Sequence, residues 1–132
     1  MSAATEAVQT TLRRYIAACN AGDAEAYVET LAPDVVFCPP TQEPFKGQDA
    51  ARAWVKEGFF DVFDVTFDAS FDRVIETGEE VMAPGSFTLD LSPRDGGDDV
   101  HLTGTFFNIF REVASGEWRY SWLVWNFQQP FG

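Results

Sequence analysis

Two polar side chains stand among apolar neighbours in patterns that could do chemistry. Tyr15 belongs to the series Val8, Leu12, Tyr15/Ile16 and Cys19, which falls on one helix face with Arg13 and Arg14 off it. Asn108 shares a strand face with Leu102, Phe106 and Phe110. Each can donate a hydrogen bond while uncharged. Such a donor in an apolar cavity can hold and polarise a carbonyl oxygen. Each can also be structural, Tyr15 as a core tyrosine bonded to a backbone carbonyl and Asn108 as an amide bonded to a neighbouring side chain. Asn108 needs partners either way, because a buried unsatisfied polar group costs about 1–3 kcal/mol.

Other reactive groups are sparse. His101, the only histidine, opens a strand after Asp98-Asp99 and reads as a surface residue. A Cys38–His101 nucleophilic pair would need a geometry that nothing in the sequence supplies. No cluster has metal-ligand spacing, so no metal is expected. Gly96-Gly97 lies in an acidic turn, the wrong charge for a phosphate, and no cofactor is expected. Two cysteines cannot make a disulfide framework and read as reduced thiols.

The elements that must position these residues change period along the chain. Glu6 to Ala21 reads as a helix, closed at Asn20-Ala21-Gly22 by residues that tolerate a left-handed backbone. Asp23 caps a second helix that buries Tyr27, Val28 and Leu31 and closes at Pro33-Asp34. Val35–Cys38 is a short strand stopped by Pro39-Pro40, since proline cannot donate to a ladder. A third helix, Asp49 to about Gly58, buries Ala50, Ala53, Trp54 and Val55. Four strands follow, near 65–72, 81–91, 101–112 and 117–128, with a bulge or bend at Pro84-Gly85. Along the last strand, alternation sets Trp118, Tyr120 and Trp122 on one face and Leu123, Trp125 and Phe127 on the other. A strand apolar on both faces is buried on both. One face should line a cavity and the other a second subunit, unless the tail from Gln128 to Gly132 covers it.

The chain has 132 residues, enough for one domain spanning 1–132. Nine Lys+Arg against 21 Asp+Glu give a net charge of −12. That charge excludes phosphate-backbone binding and disfavours anionic membranes, so neither a nucleic acid nor a membrane partner is expected. The N-terminus has no basic and apolar signal pattern, and no run is long enough to span a membrane, so a cytoplasmic location is expected.

Thirteen Phe, four Trp and three Tyr exceed what one small core requires. Helices on one side of a curved antiparallel sheet make an α+β domain, with a cone whose mouth is apolar.

At this level the chain resembles a known group. Leu12-Arg13-Arg14-Tyr15 through Asn20-Ala21-Gly22-Asp23 is similar to the opening helix of ketosteroid isomerase. Ala32-Pro33-Asp34 with its short strand, then Phe45-Lys46-Gly47, continue the likeness. The closing hairpin, from Gly104-Thr105-Phe106-Phe107-Asn108 through Gly116-Glu117-Trp118-Arg119 to Trp125-Asn126, resembles the SnoaL-like branch of the superfamily named for nuclear transport factor 2. The resemblance implies a cone-shaped α+β barrel, a curved antiparallel sheet wrapped around three N-terminal helices, often dimeric through the sheet's outer face.

In ketosteroid isomerase a Tyr and a protonated Asp form an oxyanion hole, and a second Asp moves the proton. The resemblance puts Tyr15 at the first position and Asn108 at the second. The base position falls at Phe37-Cys38-Pro39-Pro40, where Pro39 cannot accept a proton. Alternation turns the adjacent Cys38 away, and Glu43 lies in the following loop. Trp54, Phe59, Phe63, Phe106 and Trp122 are the expected walls. The expected function is therefore a small-molecule pocket for an apolar cyclic or aromatic compound carrying a carbonyl or hydroxyl. If the protein is an enzyme, the expected chemistry is proton transfer next to a carbonyl, or a cyclisation. The rival is a non-catalytic ligand-binding or oligomerisation module. A hydrolase or dehydratase ranks lower, because alternation sends Asp64, Asp68 and Asp72 outward.

Overall fold

The computed structural model describes residues 2–129. Helix α1 (Ala3–Ala21) starts where the Ser2 hydroxyl accepts from the Thr5 amide. It ends at Gly22, whose φ of 64° is the left-handed conformation that closes a helix with least strain in glycine. Helix α2 (Ala24–Glu29) is capped by Asp23, whose carboxylate accepts from the Ala26 amide at 3.0 Å.

Strand β1 (Leu31–Cys38) begins immediately afterwards. Leu31 is thus a strand residue and not part of the second helix. The cause is tertiary: the Tyr120 amide donates to the Thr30 carbonyl at 2.9 Å and draws the chain into the sheet. Strand β2 (Phe45–Lys46) leads into helix α3 (Gln48–Val55) and a single π-helical turn, Lys56–Phe60. Packing selects Ala51 and Val55 as the buried face of α3, leaving the expected Ala50 and Ala53 exposed. The remaining strands are β3 (Phe63–Phe71), β4 (Ile75–Glu76), β5 (Glu80–Pro93), β6 (Val100–Ala114) and β7 (Glu117–Phe127).

The fold is α+β, three N-terminal helices against one mixed, mainly antiparallel sheet. Its order is β2-β1-β7-β6-β5-β3, with β4 paired to β5 off that path. Two features differ from the sequence reading. β1 runs parallel to β7, so the sheet is not wholly antiparallel. The path also has two ends, β2 and β3, and among the described residues their closure into a barrel is not seen. At the β3 end Asn20 of α1 stands in for a strand. Its Nδ2 donates to the Phe67 carbonyl at 3.0 Å, and its Oδ1 accepts from the Phe67 amide at 2.7 Å. This satisfies backbone groups that an open edge would leave unpaired.

Pairing of β5 with β6 runs unbroken from Glu80↔Arg111 to Leu91↔Val100, so Pro84-Gly85 is not a bulge. The bulge that matters is in β7. Phe110 faces Tyr120 but Ile109 faces Trp122, which leaves Ser121 as an extra residue. One inserted residue reverses the alternation beyond it. Trp118 and Tyr120 are therefore buried before the bulge and Leu123 after it, while Trp122 and Val124 turn outward.

Gln128 and Gln129 hydrogen-bond to Thr103. Residues 130–132 of the tail lie outside the described residues. No described helix is long and apolar enough to cross a membrane.

Candidate functional site

The concave face of the sheet and the three helices line a cavity of about 90 Å³ that is partly open to the surface. α1 contributes Leu12, Tyr15 and Cys19, and α2 contributes Tyr27. Trp54 and Val55 come from α3, and Phe59 and Phe60 from the π-helical turn. β3 to β7 supply Val65, Phe67, Ala69, Phe87, Leu89, Phe106, Asn108, Tyr120, Leu123, Trp125 and Phe127. The helix period that carries Leu12, Tyr15 and Cys19 inward and the strand period that carries Phe106 and Asn108 inward thus meet in one space.

The polar groups in this lining are few and neutral. The hydroxyls of Tyr15 and Tyr27 lie 2.9 Å apart in a mutual hydrogen bond. The Tyr15 ring also packs within 5.1 Å of Tyr120. Burial raises the pKa of all three tyrosines, with smaller contributions from neighbouring groups. Burial likewise raises that of the Cys19 thiol. Desolvation penalises the charged form of each group, so none supplies an anion at neutral pH. No carboxylate, imidazole or amine is among the lining residues.

Asn108 is 7% exposed. Its Oδ1 accepts from the Val124 backbone amide at 3.1 Å. A backbone N–H can only donate, so this bond fixes which end of the amide is oxygen. Among the described residues the Nδ2 group has no hydrogen-bond partner. Among the described residues no fully enclosed side-chain N or O lacks a partner, so Nδ2 is not sealed off, and Asn108 is one of the residues that line the cavity.

The expected walls divide. Trp54, Phe59 and Phe106 line the cavity. Phe63 does not, packing instead beside Phe59 with ring centroids 6.5 Å apart. Trp122 is 41% exposed on the convex face, because the Ser121 bulge reverses its orientation. Its place is taken by Trp125, 5.6 Å from the Trp54 ring in an edge-to-face contact. The sequence reading also missed Phe67 and Phe87 as walls. Their inward alternation was visible, but nothing local tells a wall from a core residue. Trp54 is tethered from outside by its Nε1–H donating to Gln42 Oε1 at 3.1 Å.

Neither Pro39, Cys38 nor Glu43 lines the cavity. Glu43, Asp64, Asp68 and Asp72 are exposed. His101 is exposed and bonds to Asp90. Both cysteines are free thiols.

The SnoaL-like domain matches this chain over residues 12–120. No curated protein matches it by sequence. Solved structures share the fold at low identity. A ketosteroid isomerase-like protein from Erwinia carotovora atroseptica superposes with a TM-score of 0.78 at 18% identity, covering 95% of this chain and 96% of that one. A nuclear transport factor 2-like superfamily protein from Salmonella enterica serovar Typhimurium gives 0.79 at 16% identity, covering 95% and 91%. A hexachlorocyclohexane dehydrochlorinase gives 0.85 at 12% identity, covering 96% and 86%.

Proposed function

The chain belongs to the SnoaL-like domain family, and from that premise we propose that it binds a small, apolar, cyclic or aromatic compound through one carbonyl or hydroxyl oxygen. The observation that carries this reading is the orientation of Asn108. Val124 occupies its oxygen, and its NH2 is left toward an aromatic cavity. An amide NH2 that no protein group takes up is free to donate to a ligand oxygen. Tyr15 and Tyr27 supply a second donor. Two hydroxyls hold two hydrogens, and the bond between them uses only one. Both donors are neutral and held in place by packing, so they need no reorganisation when an oxygen arrives.

The same fold serves a ketosteroid isomerase-like protein, so proton transfer next to a carbonyl is the chemistry to weigh. It requires a base within hydrogen-bond reach. The cavity lining offers only tyrosines and a thiol that burial keeps protonated. Binding without proton transfer is therefore favoured over isomerase activity. Phe107, Trp122 and Val124 lie exposed on the convex face, which supports association of two copies through the outer face of the sheet. The ligand is a small molecule, with no nucleic acid or membrane involved.

The test is tryptophan fluorescence, since Trp54 and Trp125 line the cavity. Acetophenone should quench it saturably in the wild type. Asn108→Leu should weaken binding about tenfold or more while circular dichroism stays native. No saturable response from the wild type, or equal affinity in a folded Asn108→Leu variant, would overturn the reading.

A further inference from the structure

We infer that Gln42 is a positioning residue for the cavity: it pins Trp54 at the mouth, and breaking that pin is a step in a ligand's passage in or out. This deepens the binding reading above and rests on it. Trp54 is half-buried and meets two environments. Its ring lines the cavity, with Phe59 at 5.0 Å and Trp125 at 5.6 Å between centroids. Its Nε1–H donates to Gln42 Oε1 at 3.1 Å, and Gln42 is exposed and takes no part in the lining. The lining grades in the same direction. Tyr27, Tyr120 and Leu123 are buried, while Trp54, Phe59 and Trp125 are only half-buried. The cavity therefore nears the surface beside these three rings, and Trp54 is the one that touches both others.

The loop is built to hold Gln42 where it stands. Residues 39–44 join β1 to β2 and include Pro39, Pro40 and Pro44, whose fixed φ leaves the loop few alternatives. Its base is closed by the pairing of Phe37 with Phe45 and by the Gly47 amide donating to the Val35 carbonyl at 2.8 Å. Thr41, immediately before Gln42, has a φ of 58° and is the only non-glycine residue with positive φ among the described residues. A β-branched side chain is strained there. Such strain persists where the surrounding structure over-determines it, and it gathers at ligand clamps.

The bond lies outside the lining, so a ligand does not touch it. It is present in the empty and the filled protein alike and cancels from the affinity. It is lost while Trp54 swings aside. Removing it therefore speeds entry and exit together. A residue that merely shaped the wall would change affinity instead.

The experiment compares wild type with Gln42→Leu, which removes the acceptor oxygen, and Gln42→Glu, which keeps one. Gln42 is exposed, so both variants should fold. Acetophenone binding is followed by tryptophan fluorescence, at equilibrium and as relaxation after a temperature jump. Gln42→Leu should raise the association and dissociation rate constants together by about two- to tenfold, the worth of one hydrogen bond, with Kd within about twofold of wild type. Gln42→Glu should keep wild-type rates. The pin is also read without ligand. Acrylamide should quench Gln42→Leu more strongly than wild type, and the difference should vanish when both carry Trp54→Phe. Wild-type rates in folded Gln42→Leu, or a Kd that moves with the dissociation rate alone, overturn the inference and leave the binding reading intact. Equal acrylamide quenching overturns the pin whatever the ligand does. Absence of acetophenone binding by wild type refutes the binding reading, and the role of Gln42 falls with it.

Discussion

The two faces of this sheet are built from the same strands and use aromatic residues in opposite ways. On the concave face Phe110 and Tyr120 are almost wholly buried, with centroids 4.2 Å apart. On the convex face Phe107 is 44% and Trp122 41% exposed. The charges divide more sharply. The chain has 21 acidic residues, yet none lines the cavity. Many of them sit on loops and outward strand positions, such as Asp64, Asp68 and Asp90. The high acidity therefore describes the solvated shell. The chemistry of the site is that of neutral donors among rings.

The comparison is broken most severely by removing a ring from the concave side. Phe110 touches both Tyr120 and Phe71. Phe110→Ala should cost about 3–5 kcal/mol, from lost burial plus the cavity left behind. Denaturant unfolding would measure this, and a loss below about 1 kcal/mol would mean the concave cluster is not the core it looks like.

The next effect is alkaline. All three tyrosines of the chain, Tyr15, Tyr27 and Tyr120, sit in the cavity wall with hydroxyl pKa values raised by burial. In the unfolded chain a tyrosine ionises near pH 10. The folded state therefore holds these protons more tightly. The resulting stability is complete below about pH 10 and is lost as pH rises above it, because the unfolded chain releases its protons first. The phenolate absorbance of the native protein should stay flat through pH 10 and then appear together with loss of circular dichroism. A tyrosine that ionises near pH 10 with the fold intact would show that it is not sealed as described.

Much of this was legible from one sequence, and the failures have a common cause. Local rules suffice for the body and end of α1, where the apolar face and the Gly22 stop agree, but they begin the helix at Glu6, whereas Ser2 caps it and it starts at Ala3. They suffice for Tyr15 and Asn108, because helix and strand periods carry orientation directly. They fail at β7, where one extra residue at Ser121 reverses everything after it. No residue type announces that bulge; it is created by pairing with β6, twelve residues away. They fail again at Leu31, which β7 recruits from the other end of the chain. The open sheet edge was equally hidden, since the Asn20–Phe67 contact joins residues 47 apart.

The bulge also supplies the sharpest test of the convex face, although the effect on the fold is the smallest. Trp122 is placed outward by Ser121, and its neighbours there are Phe107 and Val124. Trp122→Ser removes a ring that the cavity does not use, so the folding of the single chain should change by no more than about 0.5 kcal/mol. Acetophenone binding should be unchanged. What should change is mass in solution. If two copies meet on this face, an exposed aromatic at its centre is the kind of side chain that carries most of the association energy. Sedimentation should then show wild type as a dimer and Trp122→Ser as a monomer at the same concentration. A wild type that sediments as a monomer, or a variant that remains dimeric, would remove the convex face as the interface. A variant that instead lost acetophenone binding would mean the bulge does not separate the two faces.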